Sequence, residues 1–174
     1  MLKEWETFYL MIGSAGAGLI GLLFVVVTLT AGLERAVTFR GARLFLSPTA
    51  LDFAVVLSVS AIAIAPGLPI PAMASAFAFI SLVGLGFAIR SSIGIYRPPP
   101  AGIDPPDWTD FWMYGVLPAV IYVALLATSG ALGFELPGAP FVLAALLLAL
   151  LLVGIRNAWD LITWIAPRRK DLVP

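Results

Sequence analysis

The chain has 174 residues, 61% of them apolar and 11% charged, with a formal net charge of zero. A soluble domain carries roughly 25% charged residues, so a water-facing surface of ordinary composition is excluded, and zero net charge removes the broad basic field that nucleic-acid binding needs. With no histidine and no cysteine, disulfides, Ser-His or Cys-His nucleophile pairs and most metal or haem ligation are excluded as well.

The apolar residues fall in long runs, and about 20 such residues cross a hydrocarbon core of about 30 Å. The first run covers about 8–31. Gly16, Gly18 and Gly21 match Gly-x-Gly-x-x-Gly, with Glu34 downstream. A dinucleotide fold needs a water-facing helix and a second strand before that acid, and only Thr28 and Thr30 interrupt Leu19 to Leu33. The run reads as one hydrophobic helix. Its Gly13, Ala17 and Gly21 recur every four residues, with Ser14 and Gly18 beside them, and small residues so spaced admit a second helix closely. The leader, MLKEWE, has two acids against one lysine, so the helix reads as retained rather than cleaved. Residues 36–46, AVTFRGARLFL, suit either an interfacial amphipathic segment or an ordinary basic loop.

The second span covers about 48–65, with Ser47 as N-cap and Pro48 at the first helical position. PGLPIP, 66–71, is a turn, and the third span follows over about 70–93. A proline-rich linker, YRPPPAGIDPPDW, separates it from the fourth, about 111–132, in which Pro118 is expected to act as a bend or hinge. GFELPGAP leads to the fifth span, about 141–165. The expected fold is all-α: one domain, residues 1–174, forming an integral membrane bundle of five transmembrane helices.

Charge sets the expected orientation. Arg35, Arg40 and Arg43, then Arg90 and Arg97, then Arg168, Arg169 and Lys170 all fall on one side of a five-span chain, against Lys3 on the other. The positive-inside rule places the N-terminus outside and the C-terminus in the cytoplasm. Trp108, Trp112, Trp159 and Trp164 then mark the inner boundary and Trp5 the outer one.

Ionisable residues within the spans are few, and each is a functional candidate because charge is costly in hydrocarbon. They are Asp52, Arg156 and Asp160, with Arg90 near a boundary and the amide of Asn157 alongside. Arg156 and Asp160 are four apart and expected to pair on one helix face. All are expected at one depth, with Asp52 or Arg90 joining the pair, so that removing one partner strands a charge and hurts more than removing both. The cluster suits an ion-pair layer or a solute site.

Small residues also line the second span (Ala54, Ser58, Ala61, Ala65) and the third (Ala74, Ala78, Ser81, Ala88, Ser92). The leucine-dominated fifth reads as lipid-facing or as a seam to another subunit. No catalytic group, cofactor or metal is expected. The reading favoured is a non-enzymatic multi-pass membrane protein in the bilayer that acts through helix packing, as a homo-oligomer or as an accessory or modulator subunit of a membrane-protein partner. The alternative is a small ion or solute channel or transporter using the Asp/Arg cluster.

Trp5, Phe8 and GSAGAGLIGLLFVVV near the start, with GIRNAWDLITWI near the end, resemble a mostly uncharacterised group of small bacterial multi-pass proteins. Some of these bear a name implying modulation of a membrane-anchored AAA protease. The resemblance implies a membrane protein without established enzyme activity and transfers no functional residue. Eight arginines to two lysines, with abundant Ala, Gly and Pro, fit a GC-rich bacterial genome and so a bacterial inner membrane.

Overall fold

The computed structural model describes residues 2–30, 47–96 and 108–168. After a 3-10 turn, Lys3–Trp5, come helices α1 (Glu6–Thr30), α2 (Ser47–Ala63), α3 (Ile70–Tyr96), α4 (Trp108–Gly133) and α5 (Ala139–Arg168). Within α4, Trp112–Val116 form a π-turn. Among the described residues there is no strand. Four helices, α1, α3, α4 and α5, are long and apolar enough to cross a membrane. The exception is α2: its 17 residues rise about 25 Å at 1.5 Å each, less than the hydrocarbon core.

Local chemistry sets the helix ends. Gly67 sits at φ +72° in the turn between α2 and α3, where a side chain would be strained. At the end of α4 the Leu136 amide donates to the Ala131 carbonyl (3.0 Å) and the Glu135 amide to that of Leu132 (2.9 Å). This is a Schellman-type closure. Glu135 occupies its left-handed position at φ 54°, a place usually taken by glycine.

The helices form a ring, α1–α2–α3–α4–α5 and back to α1, with α2 and α5 also touching across it. Paired contacts give their directions. Gly13 faces Ser60 and Gly16 faces Phe53 and Leu57, so α1 and α2 run antiparallel. Gly115 faces Ser92 and Gly133 faces Ala74, so α3 and α4 do too. Tyr114 meets Asn157 near the start of α4 and the end of α5. Tyr9 donates to the Pro140 carbonyl at 3.2 Å, tying the beginnings of α1 and α5 together. Trp5 packs edge-on against Phe141 beside that tie, while the exposed Trp108, Trp112 and Trp159 lie at the other end.

Two expectations change here. The fifth helix is central, not peripheral: Leu143, Leu147 and Leu150 are completely buried. Leucine is as apolar as lipid, so composition alone does not tell a core face from a lipid face. The packing face of α1 is also rotated from Gly13, Ala17 and Gly21. Tyr9, Ile12, Gly13, Gly16 and Leu23 turn inward, whereas Ala17, Gly18 and Gly21 are exposed. A Cβ at Gly16 would stand 3.0 Å from the Phe53 carbonyl, but one at Gly18 or Gly21 would meet nothing within 4 Å. The inward set follows Tyr9, whose hydroxyl finds its acceptor on Pro140, and the close approach of Gly13 and Gly16 to α2. On α2, likewise, Val55, Val56, Val59, Ser60 and Ala63 face inward while Ala61 is exposed. On α3, Ala74, Ser81 and Ala88 are buried.

Candidate functional site

Two polar centres lie inside this bundle. The deeper one joins α2 to α4. Asp52 is 2% exposed and Tyr122 is 1% exposed, and the Tyr122 hydroxyl donates to Asp52 Oδ1 at 2.6 Å. Missing side chains on the flanking helices make room for this contact. The Tyr122 ring lies against Gly84 of α3, where a Cβ would collide with ring carbons Cε1, Cζ and Cδ1. Phe53, next to Asp52, is wedged against Gly154 of α5, where a Cβ would stand 2.5 Å from the ring's Cε1. Two glycines therefore let two aromatic rings pack into the interior, one bonded to the carboxyl and one on the residue next to it. Asp52 Oδ2 is buried with no hydrogen-bond partner, as is the Ser60 hydroxyl at the α1 contact.

The second centre lies nearer the end where α4 begins and α5 finishes. Arg156 Nη1 stands 2.9 Å from Asp160 Oδ2, the two side chains being 39% and 40% exposed. Arg156 Nη1 also donates to Asn157 Oδ1 at 3.3 Å. Asn157 itself is fully buried. Its Nδ2 donates to the Met113 carbonyl at 3.0 Å, and its own carbonyl accepts from the Tyr114 hydroxyl at 2.8 Å.

The π-turn explains why an amide is needed there. Across the widened turn the Leu117 amide reaches the Trp112 carbonyl, five residues back. The next donor in that register would be residue 118, reaching Met113, but residue 118 is proline and has no N–H. The Met113 carbonyl is left over inside the protein, and a buried unpaired carbonyl is costly. Asn157 supplies the missing donor from a neighbouring helix. Pro118 is buried just after the π-turn; its expected bend takes the form of a widened turn cross-linked to α5.

The expected single cluster divides. Arg156, Asn157 and Asp160 come together. Arg90 is exposed on α3 and enters no ion pair among the described residues. Asp52 bonds to Tyr122 instead of the arginine. Tyr114 and Tyr122, which mark the two centres on α4, are about 12 Å apart along the helix at 1.5 Å per residue, so the shared depth is also corrected. The cause is the shortness of α2: counting from its first residue places Asp52 near a boundary, yet that first residue starts well inside the ends of its neighbours.

Sequence reasoning passed over Tyr122, Tyr114, Gly84 and Gly154. A signal for the first existed. A tyrosine hydroxyl buried in an apolar helix needs a partner, and Asp52 is the acid lying deepest in the spans. Gly84 and Gly154 carry no comparable mark, because glycine is common in membrane helices.

Chemically, the deep centre is a buried carboxyl–phenol pair, able to hold a proton or a hydrogen bond. The outer centre is a half-exposed ion pair backed by a buried amide. No group of three or more His, Cys, Asp or Glu side chains gathers among the described residues. No protein-family model, curated protein or solved structure matches the chain.

Proposed function

We propose that the chain is a non-enzymatic membrane protein whose five helices all cross the bilayer, N-terminus outside and C-terminus cytoplasmic, and that it works by helix packing as a homo-oligomer or as an accessory subunit of another membrane protein. The observation that carries this reading is the outer face of α1. Ser14, Ala17, Gly18 and Gly21 are exposed there, and among the described residues no other helix comes within 4 Å of a Cβ placed at Gly18 or Gly21. Small residues lower the distance at which two helix backbones meet and so favour association in lipid. The flanking Leu10, Leu22 and Phe24 are 58–69% exposed, which suits a helix bordered by lipid or by a partner.

The orientation rests on the helix ends. Residues 31–46, 97–107 and 169–174 all adjoin helix ends on the same side of the bundle, and these stretches hold six of the ten basic residues: Arg35, Arg40, Arg43, Arg97, Arg169 and Lys170. A bacterial inner membrane suits that charge bias. Reporter fusions at Gly67 and Gly138 should read as non-cytoplasmic; a cytoplasmic signal at either would reverse the assignment.

The packing reading is tested by size in mild detergent and by cross-linking in bilayers. The variant carrying Gly18→Leu and Gly21→Leu should keep its thermal midpoint and lose the oligomer or partner complex. A wild-type chain that is monomeric and unpartnered, or a variant that associates unchanged, would defeat the proposal. The small channel or transporter stands second. Phe53, Tyr122, Leu125, Leu143, Leu147 and Leu150 fill the middle of the bundle, where a conducting path would run. Saturable flux through the purified protein in liposomes would reverse that order.

A further inference from the structure

We propose that Asp52 and Tyr122 form an internal proton-binding site of the bundle, with the proton held on Asp52 Oδ2 while the Tyr122 hydroxyl donates to Oδ1. The proposal stands on the deep centre alone and does not depend on the oligomer reading.

The surroundings of the carboxyl carry the argument. It is 2% exposed, one oxygen receives the phenol hydrogen bond, and the other has no partner. Helices α1, α3 and α5 pack on α2, α4 reaches it through Tyr122, and their ionisable groups can be taken in turn. From α4 comes Tyr122, a neutral donor already directed at Oδ1; Tyr114 is bonded to the Asn157 carbonyl, and Asp110 lies in the first turn of the helix. From α5 come Arg156 and Asp160, which bond to each other, and Arg168, the last residue of the helix; next to Phe53 this helix presents Gly154. From α3 the charged residue is Arg90, exposed. Facing the centre α3 presents Gly84, one turn from Ser81, whose hydroxyl donates to the Phe77 carbonyl. From α1 come Glu6, exposed, and Tyr9, bonded to Pro140 near the opposite end. No cation among these described residues faces the carboxyl.

An ionised carboxylate has two acceptor oxygens and no hydrogen to give. Here it would bring a full negative charge into apolar packing with one hydrogen bond to offset it, the arrangement that low-dielectric surroundings disfavour most. A proton on Oδ2 removes the charge and leaves Oδ1 free to accept from tyrosine, matching the observed geometry. The ligand is a single proton, taken up and released as such, with no bond to any other atom made or broken.

Infrared spectroscopy of the full chain in lipid reads the protonation state directly. At neutral pH the wild type should show a carboxylic-acid C=O band. Aspartate labelled with ¹³C at the side-chain carboxyl should move that band to lower frequency in the wild type, a measurement that needs no substitution. Asp52→Asn should delete it, Asp160→Asn should leave it, and Tyr122→Phe should raise its frequency by removing the hydrogen bond to Oδ1. Absence of an aspartate-derived acid band in the wild type, or loss of a carboxylate band instead of an acid band in Asp52→Asn, would overturn the proposal. Should Asp52→Asn fail to fold, the labelled wild type and Tyr122→Phe decide between the same two results.

Discussion

Asp52 and Asp160 are the same residue on two helices that touch, yet they solve the problem of a carboxyl in a membrane bundle differently. Asp160 lies near a helix end, 40% exposed, and pairs with an arginine one turn earlier on its own helix. Asp52 lies in the interior and pairs with a neutral phenol from another helix. An arginine can serve the first site because solvent reaches whatever the half-exposed pair leaves unsatisfied. At the second, an arginine would need its remaining donors satisfied in the dry, whereas tyrosine brings one donor and a ring that fills space. Depth decides which partner is workable.

The comparison can be broken most severely at Gly84. A leucine there drives a branched side chain into the Tyr122 ring and separates α3 from α4. Overpacking of this kind costs about 3 kcal/mol, and the thermal midpoint in detergent should fall accordingly. The same change at Gly86, where a Cβ meets nothing within 4 Å, should leave the midpoint almost unmoved. Equal losses at both positions would mean that the Tyr122 contact has no special standing.

Tyr122→Phe is milder, since the ring stays and the hydroxyl goes. It leaves Asp52 Oδ1 without its donor and should destabilise by about 1–3 kcal/mol, read as the same midpoint. Asn157→Ala should cost about 1–2 kcal/mol by freeing the Met113 carbonyl. Its dependence on Pro118 is the sharper measurement. In a Pro118→Ala background residue 118 regains an N–H, so the loss from Asn157→Ala should shrink; additive losses would separate the amide from the proline.

The smallest effect belongs to the ion pair. Arg156→Ala, Asp160→Ala and the double variant should each lie within about 1 kcal/mol of wild type and draw closer as salt is added. The penalty for stranding one charge requires burial, and both side chains are more than a third exposed. A double variant clearly more stable than either single would place the pair in a drier setting than its exposure indicates.

What the sequence makes legible follows from what each signal depends on. The helices are read well, to within a few residues at most ends, because hydropathy and the Pro and Gly punctuation are local. Arg156 with Asp160 is legible for the same reason: four residues of one helix place them together. Asp52 with Tyr122 is not, because the contact spans two helices and depends on where α2 starts relative to α4. Which face of α1 turns into this bundle is not legible, because a four-residue repeat of small side chains is visible in a string while the inward turn of Tyr9 depends on its acceptor on α5. The π-turn is encoded jointly by Pro118 and an asparagine on another helix, and neither is diagnostic by itself.

The bond from Tyr9 to Pro140 joins residues 131 positions apart, and this has a consequence in time. At about 5–20 residues per second of synthesis, the acceptor is made roughly 7–26 s after the donor. During that interval α1 and α2 exist together while the helix that later covers Tyr9 does not. Assembly of the ring is therefore a late event, and any other helix present during that interval would meet α1 before α5 does. The order in which the ribosome delivers the helices, as much as their final affinities, sets which neighbours α1 samples first.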